Sequence, residues 1–168
     1  YLHIYLLITV LLFNYNKKFG IINISELGRY KCRRILMNWT KEQSEAINIR
    51  NKNVLVAAAA GSGKTAVLVE RIRKLVCEEN VPVSSLLVVT FTKAAAAEMK
   101  EKIRKSLSQE LKALQEEQRG LSNSGQGTSG FDDEAREKIK YIKAQLSDLP
   151  QADICTFHAF ALTVIRRF

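Results

Sequence analysis

The chain has 168 residues, 46% of them hydrophobic and 26% charged, which excludes a fibrous repeat or a wholly disordered polymer and allows a compact domain with a real core. Its formal charge of +9 is unevenly spread. Residues 1–36 hold six basic side chains against the single acid Glu26, and the other 132 residues contribute only +4, so bulk charge permits a nucleic-acid partner without establishing one.

The chain opens YLHIYLLITVLLF, an apolar run of 13 residues ending at Phe13. It falls short of the roughly 20 residues that cross a bilayer. It also lacks the basic start and small-residue cleavage site of a signal peptide, so no membrane association is expected. Residues 14–36 sustain neither a helical nor a strand period. The first methionine, Met37, stands where strong patterning begins. Three origins are open for residues 1–36: translated sequence upstream of a start at Met37, a genuine amino-terminal helix or anchor, or an extension packed on the domain downstream. The first is the expectation, with a separate domain at 37–168.

Thr40 and Gln43 have capping-box spacing and begin a short helix with Ala46, Ile47 and Ile49 as its apolar stripe. Asn51-Lys52-Asn53 breaks it. Val54–Ala57 is an unbroken apolar run of the kind found in a strand buried on both faces. A glycine-containing turn follows, then a helix from about Lys64 to Cys77, ended by Asn80-Val81-Pro82. Leu86–Phe91 is a second buried strand, and a long helix runs from near Lys93 towards Arg119. Residues 120–131, GLSNSGQGTSGF, are uncharged and rich in Gly and Ser, which predicts a flexible linker or exposed loop. Asp132 or Asp133 then caps another helix to about Leu146, with Pro150 marking its end. Ala152–Thr156 reads as a third strand and Phe157–Phe168 as a further helix. The alternation predicts an α/β fold, a parallel sheet with helices covering both faces and right-handed crossovers. The pattern is unfinished at Phe168, so an incomplete domain is expected. Cys32, Cys77 and Cys155 are odd in number and lack metal-ligand spacing, which points to a reducing, cytoplasmic compartment.

The chemistry is concentrated in Ala57–Thr65, AAAAGSGKT. A strand leads into a tight turn whose backbone N–H groups point inwards, and Gly61 and Gly63 let phosphate oxygens approach with no Cβ in the way. The next helix offers its positive end. Within the turn, Ala58, Ala59, Ala60, Gly61, Ser62, Gly63, Lys64 and Thr65 form the nucleotide site, with Lys64 on the β and γ phosphates and the Thr65 hydroxyl on Mg²⁺.

Ala58 stands where the usual P-loop begins with Gly, and Ala-x-x-Gly-x-Gly-Lys-Thr resembles motif I of superfamily 1 helicases. Upstream, WTKEQSEAI (39–47) resembles the Q motif of the same group, which implies that Gln43 reads an adenine edge. A bidentate amide suits adenine's donor–acceptor pair and so favours ATP, although a helix cap alone would also explain Gln43. VVTFTKAAAAEMKEKI (88–103) resembles motif Ia and TFHAF (156–160) motif Ib, which implies single-stranded DNA contacts at Thr90, Phe91, Thr92, Thr156, Phe157 and His158. The alternatives on pattern alone are a core role for Phe91, a capping role for Thr92 and a structural role for His158.

Together these motifs resemble the UvrD/Rep/RecB group of DNA helicases over residues 39–168, which implies a P-loop (RecA-like) motor domain using ATP and Mg²⁺. The alanine-rich wording around motifs I and Ia, and the 64 positions from Thr92 to Thr156, resemble its AddA-type helicase–nuclease branch. The extra length is a helical insertion at about 106–150. That resemblance implies a parent that translocates on DNA, unwinds duplex ends in double-strand-break repair and recombination, and carries an exonuclease domain and an AddB-type partner. The alternatives are a RecB- or UvrD-like relative and a non-helicase P-loop protein. The 168 residues hold no Asp-Glu pair after a predicted strand, Asp132-Asp133-Glu134 following the Gly-rich stretch instead. The expectation for the chain by itself is weak ATP binding without turnover.

Overall fold

A computed structural model describes residues 38–57, 59, 61–123 and 129–167. Residues 1–36, Ala58, Ala60 and Phe168, on which several expectations fall, lie outside the described residues.

Among the described residues five helices and two strands follow one another: α1 (Lys41–Asn48), α2 (Lys64–Cys77), β1 (Leu87–Thr90), α3 (Lys93–Asn123), α4 (Ser129–Asp148), β2 (Asp153–Thr156) and α5 (Phe157–Arg167). Single 3-10 turns at Val83–Ser85 and Leu149–Gln151 lead into the strands. β1 and β2 are parallel, with Leu87 opposite Asp153 and Thr90 opposite Thr156.

Helix α2 buries Leu68, Ile72, Leu75 and Val76, the i, i+4, i+7, i+8 spacing of one helical face. Along α3 the buried apolar positions include Ala96, Met99, Ile103, Leu107 and Leu114, a stripe kept over several turns. Helix α4 answers with Ile139 and Ile142, and these faces meet Val83, Val88, Leu149 and Ile154 in one core. Lys100, near the start of α3, donates to the carbonyl of Pro150, just beyond α4. The two long helices therefore run in opposite directions. Gln145, buried on α4, accepts the Val83 N–H at 2.8 Å and fixes the turn before β1.

A second tie is ionic. Arg73 on α2 is buried and donates to Glu70, Glu78 and, at 3.1 Å, to Glu110 on α3. Burial works against the guanidinium charge, but Glu70, Glu110 and Glu78 outweigh it and hold its pKa above the usual value.

Three expectations are corrected. Val54–Ala57 is not a strand: the segment joins no ladder, and Leu55 is 77% exposed. An apolar run becomes a sheet strand only where a neighbour supplies hydrogen bonds, and β1 and β2 pair with each other alone among the described residues. The sheet is also not covered on both faces. Val88 and Ile154, paired across the ladder, are buried on one face, whereas Leu87, Val89 and Cys155 on the other are only partly buried and Asp153 is exposed. Finally, the stretch 120–131 is not one loop. α3 continues through Asn123 and α4 starts at Ser129, which leaves only residues 124–128 outside the described helices. A helix already some 27 residues long adds a turn at little cost, even through Gly120 and Ser122. The expected insertion at 106–150 falls mainly within these two helices.

Candidate functional site

The phosphate turn is built by two glycines with left-handed backbone, Gly61 at φ 79° and Gly63 at φ 80°. Such angles cost an L-residue roughly 1–2 kcal/mol, which is why glycine stands at both. Gly63 is the N-cap of α2 and offers no side-chain cap, and the first turn of α2 carries no acid. The positive end of a 14-residue helix is thus left to an anion. The Ser62 N–H donates to the Ala59 carbonyl at 3.3 Å and Lys64 Nζ donates to the same carbonyl at 2.7 Å, closing the turn.

Helix α1 stands against this turn. Thr40 and Gln43 make the full capping box: the Gln43 N–H donates to Thr40 Oγ1 at 3.3 Å, and the Thr40 N–H donates to Gln43 Oε1 at 3.0 Å. The other end of the same amide, Gln43 Nε2, donates to the Ser62 carbonyl at 3.1 Å. Capping and site-facing roles therefore share one side chain rather than compete for it. Between α1 and the turn lies a cleft of about 400 Å³ bordered by Gln43, Ala46, Ser62, Lys64 and Val67.

Two arginines that carry no motif hold α1 in place. Arg71 of α2 donates to the Ala46 carbonyl at 2.7 Å, and Arg50 donates to the carbonyls of Ile47 and Ile49 while pairing with Glu79. They neutralise the carbonyl end of a helix whose last turn has no basic residue of its own. No sequence pattern announces them, because Arg71 reaches a backbone carbonyl 25 positions away and Arg50 pairs with a carboxylate 29 positions away.

The turn fits a nucleotide phosphate on an independent ground. Ser62 Oγ is buried and has no hydrogen-bond partner among the described residues, the state of a hydroxyl that lacks its acceptor. Among the described residues no group of three or more His, Cys, Asp or Glu could hold a metal. A divalent ion at this site would be held by phosphate oxygens and the Thr65 hydroxyl.

The residues expected on DNA are gathered at another place, the carboxyl ends of β1 and β2. The register sets Thr90 beside Thr156, so Phe91 and Phe157 follow from adjacent strands. Both are exposed, at 68% and 64%, so Phe91 is not a core residue. His158 is exposed on the first turn of α5. Thr92 Oγ1 accepts the Ala95 N–H at 3.0 Å and Thr156 Oγ1 accepts the Ala159 N–H at 3.2 Å, so each threonine caps the helix that follows its strand. Asp132-Asp133-Glu134 lies within α4 and ends no strand. None of the described helices is long and apolar enough to cross a membrane.

The family described as UvrD/REP helicase N-terminal domain matches residues 39–168. The chain is 44% identical over 133 residues to the A-type subunit of the ATP-dependent helicase/nuclease of Lactobacillus gasseri, a match that covers 79% of this chain and 9% of that protein. Proteins of the same name from Clostridium beijerinckii and Desulforudis audaxviator are 47% and 43% identical over 76% and 78% of the chain, again covering 9% of each relative. The chain spans about a tenth of the length of these curated relatives.

Proposed function

This chain belongs to the UvrD/REP helicase N-terminal domain family, and from that premise we propose that it is the ATP-binding part of an ATP-dependent DNA helicase. One observation carries the nucleotide site: the Gly61–Thr65 turn, opening an uncapped helix, holds beside Gln43 a buried hydroxyl with no partner among the described residues. Gln43 reads the adenine edge, and the N–H groups of the turn and of the start of α2 cradle the phosphates. Lys64 sets its charge on the β and γ phosphates, and Thr65 holds Mg²⁺. When bound, Mg²⁺–ATP supplies the phosphoanhydride that a helicase motor cleaves.

The edge formed by Thr90, Phe91, Thr92, Thr156, Phe157 and His158 is the single-stranded DNA contact. Exposed phenyl rings offer stacking platforms to bases, and the polar groups around them suit phosphates. The parent acts as a helicase–exonuclease on DNA ends in double-strand-break repair and recombination, with an AddB-type partner. That assignment is supported by relatives named as the A-type subunit of an ATP-dependent helicase/nuclease.

The chain by itself binds ATP weakly and does not turn it over. β1 and β2 both end in threonine followed by phenylalanine, so no carboxylate stands at the carboxyl end of either strand to align an attacking water. Equilibrium dialysis with Mg²⁺–ATP, alongside a phosphate-release assay, tests both statements on the unsubstituted chain and Lys64→Ala. Binding is expected to weaken roughly 10- to 100-fold in the variant, the size of one charge-assisted hydrogen bond, with no phosphate released by either. Binding indifferent to Lys64 would remove the nucleotide site, and Lys64-dependent hydrolysis would overturn the absence of turnover.

A further inference from the structure

We infer that Gln43 is a positioning residue for the phosphate turn itself, acting on triphosphate binding even when no base is present. The inference rests on the nucleotide reading of the Gly61–Thr65 turn, and it assigns Gln43 a task separate from adenine recognition.

The physical link is a single peptide plane. Gln43 Nε2 donates to the Ser62 carbonyl at 3.1 Å. That carbonyl and the Gly63 N–H belong to the same peptide unit, which is planar and trans, since the described residues contain no cis peptide bond. Holding the oxygen towards α1 therefore aims the Gly63 N–H the opposite way, away from Gln43. Glycine flanks this peptide at Gly63 and stands one residue before it at Gly61, both at left-handed φ. Glycine backbone is the easiest to rotate, so an unrestrained turn here would sample many orientations. A hydrogen bond from outside the turn removes that freedom before the ligand arrives, which is how preorganisation raises affinity.

Three features make the tie specific. The Thr40 N–H on Gln43 Oε1 fixes which end of the amide is oxygen, because a flipped amide would set donor against donor at Thr40 and acceptor against acceptor at Ser62. Arg71 and Arg50 hold the carboxyl end of α1, so Gln43 rides on an anchored helix. A Cβ built at Gly63 would lie 3.3 Å from Gln43 Nε2, tight enough to push the amide away. Each polar atom of the amide retains further capacity, one hydrogen on Nε2 and one lone pair on Oε1, so adenine can be read without releasing Ser62.

The test uses all 168 residues of the chain and two ligands, Mg²⁺–ATP and base-free Mg²⁺–tripolyphosphate. Binding is measured by calorimetry for the unsubstituted chain, Gln43→Ala and Thr40→Ala. Thr40→Ala weakens the same helix cap but leaves the Gln43–Ser62 bond, and so separates fraying of α1 from loss of the tie. Tripolyphosphate affinity is expected to fall roughly 2- to 10-fold in Gln43→Ala, the size of one neutral hydrogen bond, and to hold in Thr40→Ala. A further loss for ATP supports adenine reading as well. An equal loss for both ligands leaves the positioning role standing and removes base reading. Unchanged tripolyphosphate affinity in Gln43→Ala overturns the inference, and a loss confined to ATP then leaves only adenine reading. Equal loss in Thr40→Ala, or no tripolyphosphate binding by the unsubstituted chain, also overturns it.

Discussion

Thr90 and Thr156 stand opposite one another as the last residues of two parallel strands, although 66 positions separate them in the chain. Their hydroxyls are turned to local tasks: Thr90 Oγ1 donates to the Thr92 carbonyl at 3.0 Å, and Thr156 Oγ1 accepts from the Ala159 N–H. What the pairing delivers outwards is the residue after each threonine. Phe91 and Phe157 leave the same sheet edge from neighbouring strands, and neither is covered by the described residues. Exposed aromatics at the carboxyl edge of a parallel sheet stand where α/β folds place ligands.

If the two rings stack on bases, Phe91→Ala and Phe157→Ala will each weaken single-stranded oligonucleotide binding by about 1–3 kcal/mol. The dependence on salt is expected to stay as it was, because a phenyl ring neutralises no phosphate. Fluorescence anisotropy of a labelled oligonucleotide over a range of salt concentrations reads both quantities. A double variant that binds as tightly as the parent would show that this edge does not meet DNA.

The Arg73 cluster makes a different demand. Arg73 is buried together with Glu110, and Glu70 and Glu78 complete its shell. Arg73→Met would strand carboxylates in a dry place, which costs about 3–5 kcal/mol when one partner of a buried pair is removed. Replacing both, Arg73→Met with Glu110→Leu, is expected to return much of that loss. Urea midpoints at unchanged slope are the measurement. A double variant no more stable than the single one would mean that the charges do not act as a unit.

How far the sequence alone reaches differs from element to element. Thr40 with Gln43, and Gly61 with Gly63, were legible because each signal is local: a cap is spaced three residues, and a turn needs left-handed backbone within its own length. Val54–Ala57 misled, since apolar residues report a wish for cover and say nothing of who supplies it. The Gly- and Ser-rich residues 120–123 misled in the other sense, because composition there opposes a helix whose length carries it through. The bond from Gln43 to Ser62 spans 19 positions and ends on a backbone oxygen, so no pattern of side chains encodes it.

Cys77 ties stability to pH on the alkaline side. Burial first, and then the nearby Glu110 charge, push its thiol from 9.0 up to about 12. Between these values the unfolded thiol has lost its proton while the folded one keeps it, so the unfolded state binds fewer protons and stability falls as pH rises. Tyr141, raised to about 12 by burial and by Cys77, adds to the same decline. Urea midpoints should drop between about pH 9 and 11, and less steeply in Cys77→Ala once its overall loss of packing is subtracted. Equal slopes in the two chains would show that Cys77 takes no part.

Ser62 offers a substitution whose sign is expected to reverse between the free and liganded chain. Its hydroxyl is buried without a partner among the described residues, and such a group costs about 1–3 kcal/mol in desolvation. Ser62→Ala removes the burden, while the backbone carbonyl that Gln43 holds is kept. Thermal unfolding without ligand should therefore occur at the same temperature or slightly higher. With Mg²⁺–ATP present the order should invert, because a ligand stabilises in proportion to its affinity for the folded state and the variant lacks one donor to phosphate. Melting curves at several ATP concentrations measure both effects on one sample. A variant destabilised without ligand would mean that the hydroxyl already has a partner in solution. Equal stabilisation of the two chains by ATP would mean that it does not face phosphate.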